Sequence, residues 1–110
     1  MQFVDSLNTG NPGLNAVVIP DGPLDRSPCG TGTSARMALL HSRGQLPIGR
    51  AYQSKSLLGS RFIGKLLGEA GVAGYRAVRP YITGSAYITA FRTLVLDGRD
   101  PFPQGFSALQ

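Results

Sequence analysis

The stretch Asp25-Arg26-Ser27-Pro28-Cys29-Gly30-Thr31-Gly32-Thr33-Ser34 carries the single cysteine of a 110-residue chain, where a polar, glycine-bearing loop runs into the clearest helical segment. The helix is expected to begin at Gly30 or Gly32 and to end at Ser42, with Gly44 at the C′ position. His41 and Arg43 then lie near the negative end of its dipole. Ala35, Ala38, Leu39 and Ser42 fall on one face, and Met37 and Leu40 fill out another. Such a helix is apolar over most of its circumference, which predicts that other structure encloses it.

Upstream, residues 1–8 read as a short strand with Phe3, Val4 and Leu7 apolar, followed by a loop over 8–13. Residues 15–20 read as a second strand, whose continuous run Ala16-Val17-Val18-Ile19 suits burial on both faces. Pro20-Asp21-Gly22-Pro23 turns the chain. Downstream of Leu46 the pattern is β throughout. Leu46-Pro47-Ile48-Gly49 is a turn, and residues 51–58 and 61–67 are strands joined around Gly59-Ser60. Residues 68–74 form a loop, and 76–82 a strand that Pro80 assigns to a sheet edge or a strand end.

After a turn at Thr83-Gly84, residues 85–96 make the best strand of the chain. Tyr87, Thr89, Phe91, Thr93 and Val95 alternate there with Ile88, Ala90, Arg92, Leu94 and Leu96. The tail from Asp97 to Phe106 is irregular, and Phe102 and Phe106 need somewhere to dock. One apolar helix followed by several strands predicts an α+β arrangement, a curved sheet wrapped around a helix, and not a repeating βαβ unit.

Composition narrows the function. A hydrophobic content of 42% over 110 residues suits one soluble domain with a modest core. No apolar run approaches the roughly 20 residues that span a bilayer, so no membrane role is expected. Met1-Gln2-Phe3-Val4-Asp5 lacks the basic region of a secretory signal. A lone cysteine makes no internal disulfide, which agrees with a cytoplasmic protein. The net charge of +5 is spread over evenly spaced basic residues with no aromatic interleaving. That pattern reads as solvated surface rather than a nucleic-acid platform.

The loop has chemistry of its own. The first N–H groups of a helix lack intrahelical partners and carry partial positive charge. Gly30 and Gly32 let a ligand approach the backbone, so a carboxylate or phosphate is stabilised there. The same field favours the thiolate form of Cys29. Asp25 offers a carboxylate to a substrate ammonium. Together the three groups fit an α-amino or α-imino acid. The plainer readings stay open at this point: a lone cysteine is often a small buried hydrophobe, and Asp25 could cap a turn. The missing Gly-Lys-Ser/Thr ending, with no lysine nearby to meet a terminal phosphate, speaks against a nucleotide loop. His41 lies about three turns from Cys29, too far to serve it, and no cluster of His, Cys or carboxylate supports a metal.

Residues 25–38 closely resemble the second active-site motif of the proline racemase family, which includes proline racemase and 4-hydroxyproline 2-epimerase. The resemblance continues through Gly44-Gln45-Leu46, Ser56-Leu57-Leu58-Gly59-Ser60-Arg61-Phe62, Pro80-Tyr81-Ile82-Thr83-Gly84-Ser85-Ala86, and Asp100-Pro101-Phe102-Pro103-Gln104-Gly105-Phe106. It implies a racemase or epimerase that uses no cofactor. One thiolate removes the α-proton of proline or 4-hydroxyproline, and a second thiol returns a proton to the opposite face. Carried over by position, Cys29 is the second acid/base. Gly30 and Thr31 give N–H groups to the substrate carboxylate, and Asp25 binds near the ring nitrogen. The implied fold is half of a two-lobed, diaminopimelate-epimerase-like architecture, a curved sheet or barrel around one central helix.

Cysteine at 29 favours racemase or epimerase over the dehydratases of the family, which carry threonine there. Gly44-Gln45-Leu46 and the Asp-Pro-Phe run favour the hydroxyproline epimerase over the proline racemase. Two departures stand out. The family's other motif, Met-Cys-Gly-His, is absent with the whole first lobe, so residues 1–110 are expected to be a single partial lobe, inactive alone. Lys55 also stands where many relatives have glutamate. The competing expectation is a stand-alone module that binds an imino acid or carboxylate without catalysis. The resemblance leaves open a homodimer of the full protein.

Overall fold

The computed structural model describes residues 1–5, 13–19 and 22–105. Leu7, the 8–12 part of the first expected loop, Pro20, Asp21 and Phe106 lie outside them. The elements are β1 (Gln2–Val4), β2 (Gly13–Val17), α1 (Gly30–Ser42), β3 (Tyr52–Ser56), β4 (Arg61–Val72) and β5 (Tyr75–Thr83). The strands form one mixed sheet in the order β1-β2-β3-β4-β5. Every neighbouring pair is antiparallel except β2 and β3. Parallel strands need a crossover rather than a hairpin, and α1 lies in that crossover. The α+β expectation therefore holds.

The helix spans 30–42 as its signals predict. It stops in a Schellman turn: Gly44, at φ 71, donates its N–H to His41 O, and Gln45 donates to Leu40 O. It packs over β4 and β5. Directly paired residues share a sheet face, and Tyr52, Ser54 and Ser56 alternate into the buried face beside Gly64 and Leu66. Met37 and Leu66 are fully buried there, with Leu46 and Tyr52, and Leu40, Val78 and Ile82 close around them. Gly64 makes this packing fit, because a Cβ at that position would lie 2.6 Å from Met37 Sδ. The other end of the buried layer is polar. Asn15, Thr33, Ser54 and Ser56 are all buried, and Asn15 Nδ2 donates to Ser54 Oγ.

Four expectations need correction. The helix is not enclosed. Thr33 and Met37 are buried, but Gly30, Thr31, Ala35, Leu39 and Ser42 are exposed. An all-round apolar pattern does not say which stripe the sheet covers, and here it covers 33/37/40. The second strand begins earlier than the apolar run and is not buried on both faces. Its buried residues are Gly13 and Asn15, while Ile19 is exposed and Val18 makes only an isolated bridge to Leu24. No loop spans 68–74. β4 continues to Val72, and Ala73-Gly74, both at positive φ, closes a two-residue hairpin of the kind whose twist suits paired strands. A bulge falls at Leu67: the register steps from Leu66↔Pro80 to Gly68↔Arg79, beside a proline with no N–H for the ladder. Pro80 does sit in an edge strand, as expected.

The fourth correction is the largest. Residues 85–96 are not a strand. Tyr87, Phe91 and Leu94 are 86%, 92% and 92% exposed, and Ile88, Val95 and Leu96 little less. Alternation gives a segment two faces, but a strand also needs a hydrogen-bonded neighbour, and none stands beside it among the described residues. The radius of gyration, 18.6 Å, exceeds the roughly 13 Å of a compact domain of this length.

Candidate functional site

The loop between β2 and α1 returns along the strand it left. Asp25 N–H donates to Val17 O at 2.8 Å. Two short side-chain turns follow in series. Asp25 Oδ1 accepts from Ser27 N–H at 2.8 Å, and Ser27 Oγ accepts from Cys29 N–H at 3.0 Å. Pro28 is fully buried, and its carbonyl accepts from Thr33 Oγ1 at 3.3 Å. The Arg26 carbonyl lies 2.6 Å from Ser60 Oγ and 3.1 Å from Ser56 Oγ, and the two hydroxyls are 2.7 Å apart.

These restraints converge on Cys29. It is the N-cap of α1, half-buried, with φ 63 and ψ 122. A non-glycine residue in that region is strained, and such strain persists only where neighbours over-determine it. The sulfur accepts from Gly32 N–H at 3.5 Å, and the Cys29 carbonyl accepts from Thr33 N–H at 2.9 Å. Gly30 and Thr31 are exposed, and their N–H groups have no acceptor among the described residues. The thiol and two unmet amides therefore share one helix end, an arrangement suited to an anion beside a nucleophile or base. The Gln2 side chain packs against Gly32, where a Cβ would lie 2.6 Å from Gln2 Oε1.

Of the residues singled out in the sequence, Cys29, Gly30 and Thr31 come together at the helix end. Asp25 stands on the same loop with one carboxylate oxygen engaged by the turn, so the capping role is present. A carboxylate keeps room for further donors. Ser56 and Ser60 have no role legible in the sequence beyond the family resemblance. Their signal was the spacing of two small hydroxyls around Gly59, legible as a turn but not as a contact with residue 26. A cleft of about 630 Å³ opens beside the loop between Arg26, Ser27, Leu58, Ser60, Arg61, Phe62 and the 85–89 segment. Cys29 does not line it.

His41 lies at the far end of α1, as expected, and is not a free surface charge. Its Nδ1 is 2.9 Å from Leu46 O and its Nε2 is 3.2 Å from Glu69 Oε1. Both neighbours are acceptors, so the ring is best satisfied when both nitrogens carry protons. The Leu46 carbonyl first, and then Glu69, hold the His41 pKa above its usual value. Glu69, bonded by His41 and flanked by Arg76, is held below the usual carboxylate value. No helix among the described residues is long and apolar enough to cross a membrane.

Comparison with known proteins places this architecture. The chain is 47% identical over 106 residues to a 4-hydroxyproline 2-epimerase of Streptosporangium roseum, covering 96% of this chain and 32% of that protein. It is 50% identical over 92 residues to a proline racemase of Clostridioides difficile, covering 84% of this chain and 28% of the relative. A crystal structure of a hydroxyproline epimerase from Agrobacterium vitis, with bound trans-4-hydroxy-L-proline, superposes with a TM-score of 0.78 at 40% identity. That match covers 96% of this chain and 30% of the other. The chain thus spans about a third of the length of the curated relatives it matches. Residues 1–107 match the family described as proline racemase, and the chain belongs to that family.

Proposed function

We propose that this chain supplies one of the two acid/base thiols of a racemase or epimerase that acts, without a cofactor, at the α-carbon of proline or 4-hydroxyproline. The carrying observation is Cys29 at the N-cap of α1, beside two exposed amides with no acceptor among the described residues. The substrate carboxylate docks on the Gly30 and Thr31 N–H groups, and Asp25 stands near the ring nitrogen. The thiolate of Cys29 accepts the α-proton, and the C–H electron pair passes into the carboxylate. The two amides stabilise the charge that develops there. In the reverse direction the Cys29 thiol gives its proton back to the same face. The printed names of the relatives include both a 4-hydroxyproline epimerase and a proline racemase. The Gly44-Gln45-Leu46 and Asp100-Pro101-Phe102 features favour the hydroxylated substrate.

Inversion needs a second thiol on the opposite face of Cα, and one cysteine per chain does not provide it. The opposed thiol belongs to the family's first lobe, in a two-lobed diaminopimelate-epimerase-like fold of which residues 1–110 form part of one lobe. The exposed apolar arm after β5 then finds its neighbours in that lobe. Joining the chain to an upstream segment bearing Met-Cys-Gly-His is expected to give exchange of the proline or 4-hydroxyproline α-proton with D₂O, read by NMR. A well-folded joined protein without exchange overturns the reading. The single cysteine also favours a second reading, an imino-acid-binding module without catalysis. Calorimetry with L- and D-hydroxyproline on the chain alone would then show binding, while the joined protein would show no exchange.

A further inference from the structure

We infer that Ser56 and Ser60 are positioning residues for Cys29, acting as a clamp on the Arg26 carbonyl that fixes the loop leading into α1. The inference rests on the reading of Cys29 and its amides as an acid/base and carboxylate site. The first N–H groups of a helix have no intrahelical partner, so the Gly30 amide is free by position and what the loop must fix is where it and Cys29 stand. The Arg26 carbonyl, three residues before Cys29, is gripped by hydroxyls from residues 30 and 34 positions further along the chain. The two hydroxyls have two protons for three close contacts. Ser60, at 2.6 Å, donates to the carbonyl, and the Ser56 proton is shared between the carbonyl and Ser60 Oγ. The pair is itself fixed. Ser56 is 1% exposed at the end of β3, its N–H donates to Ser60 O, and Gly59 N–H closes the turn onto Ser56 O.

The restraints within the loop, Asp25 to Ser27 and Ser27 to Cys29, are local and would travel with the loop if it moved. The backbone bond from Asp25 to Val17 ties its beginning to β2. The serine pair ties the loop to the β3–β4 turn, beside β2, since β3 is the neighbour of β2 in the sheet. Those two anchors sit on consecutive residues, Asp25 and Arg26, immediately before the turn that holds Cys29 at its positive φ. Thr33 Oγ1 does a related service two positions on, where it donates to the Pro28 carbonyl. Hydroxyls therefore hold two carbonyls of the loop, one on either side of Ser27. The segment Ser56-Leu57-Leu58-Gly59-Ser60 thereby acquires a physical role.

The test uses alkylation of the single thiol by iodoacetamide across pH, followed by mass spectrometry, on the full chain. Wild type is expected to react faster near neutral pH than the same chain in urea. If it does not, the acid/base reading of Cys29 fails, whatever the serines do. Given that enhancement, Ser60→Ala and the double variant with Ser56→Ala are expected to move the pH–rate profile to higher pH. The rate at pH 7 should fall roughly tenfold in the double variant and less in the single one. Ser60→Thr keeps the hydroxyl at an exposed position and should restore the wild-type profile. A wild-type profile in Ser60→Ala, with the helix intact by circular dichroism, overturns the clamp. If the double variant does not fold, Ser60→Ala against Ser60→Thr decides alone: equal profiles overturn the clamp and restoration by threonine alone supports it.

Discussion

The loop from Asp25 to Cys29 and the arm from Gly84 to Leu96 are both irregular, yet they are opposites. Loop residues are tied to β2, to the β3–β4 turn and to the first turn of α1 by named hydrogen bonds. The arm leaves an edge strand and carries six large apolar side chains that are mostly exposed. The sequence signal was stronger in the arm. The difference shows that local pattern states what a segment is able to do, while the partner decides what it does. The loop finds its partners within the chain, so its strain at Cys29 is held. The arm has a strand's alternation and no neighbouring strand among the described residues.

The sharpest break of this comparison is at the thiol. In a joined two-lobe protein, Cys29→Ser is expected to lower α-proton exchange by roughly 10²–10⁴-fold, because serine is a far weaker acid/base at neutral pH. Exchange in D₂O read by NMR checks it, and near-wild-type exchange would remove Cys29 from the chemistry. Next in size is the packing beneath the helix. Met37→Ala empties a fully buried site between α1 and Gly64 and should cost about 2–5 kcal/mol in urea unfolding. Gly64→Val drives a side chain into Met37 and should cost about 1–3 kcal/mol. The arm predicts the contrary. Phe91→Ser with Leu94→Ser should change unfolding stability by no more than about 0.5 kcal/mol per site while reducing self-association in sedimentation, since both side chains are 92% exposed. A large stability loss from the arm variants would show that it is packed after all.

Legibility in the sequence followed the same division. The helix bounds, the Gly44 stop, the β3–β4 hairpin and the edge position of Pro80 rest on local rules, and they were readable. Cys29, Gly30 and Thr31 at a helix N-terminus were readable for the same reason. Misread elements depended on distant partners. The apolar run at 16–19 looked doubly buried, but the strand's buried positions are Gly13 and Asn15 in a polar layer with Ser54 and Ser56. Gly68 reads as the start of a loop but lies within β4 and pairs with Arg79, just after a bulge at Leu67. Ser56 and Ser60 looked like turn residues, because no local pattern reveals that a carbonyl 30 positions earlier closes on them.

The two ends of α1 extend the contrast to a smaller effect. The serine pair and the hydroxyl of Thr33 that brace the N-terminal end do not titrate near neutral pH. The C-terminal end is joined to the β4–β5 hairpin through His41, Glu69 and Arg76, and that attachment does titrate. The His41 pKa is raised above 6.5, so its contribution is fully present below the unfolded value and is lost as pH rises through the folded one. The Glu69 pKa is lowered below 4.5, so its contribution is present above that value and is lost as pH falls through the folded one. The attachment is therefore strongest between the two, from about the unfolded carboxylate value to about the unfolded imidazole value. Titration of the His41 ring protons by NMR should give a midpoint above 6.5, and Glu69→Gln should lower it. The Leu46 carbonyl, the larger cause, remains in that variant, so the midpoint should stay raised in part. A Glu69→Gln midpoint equal to that of wild type would leave the attachment to Leu46 alone, and α1 would then be tied to the hairpin by packing rather than by charge.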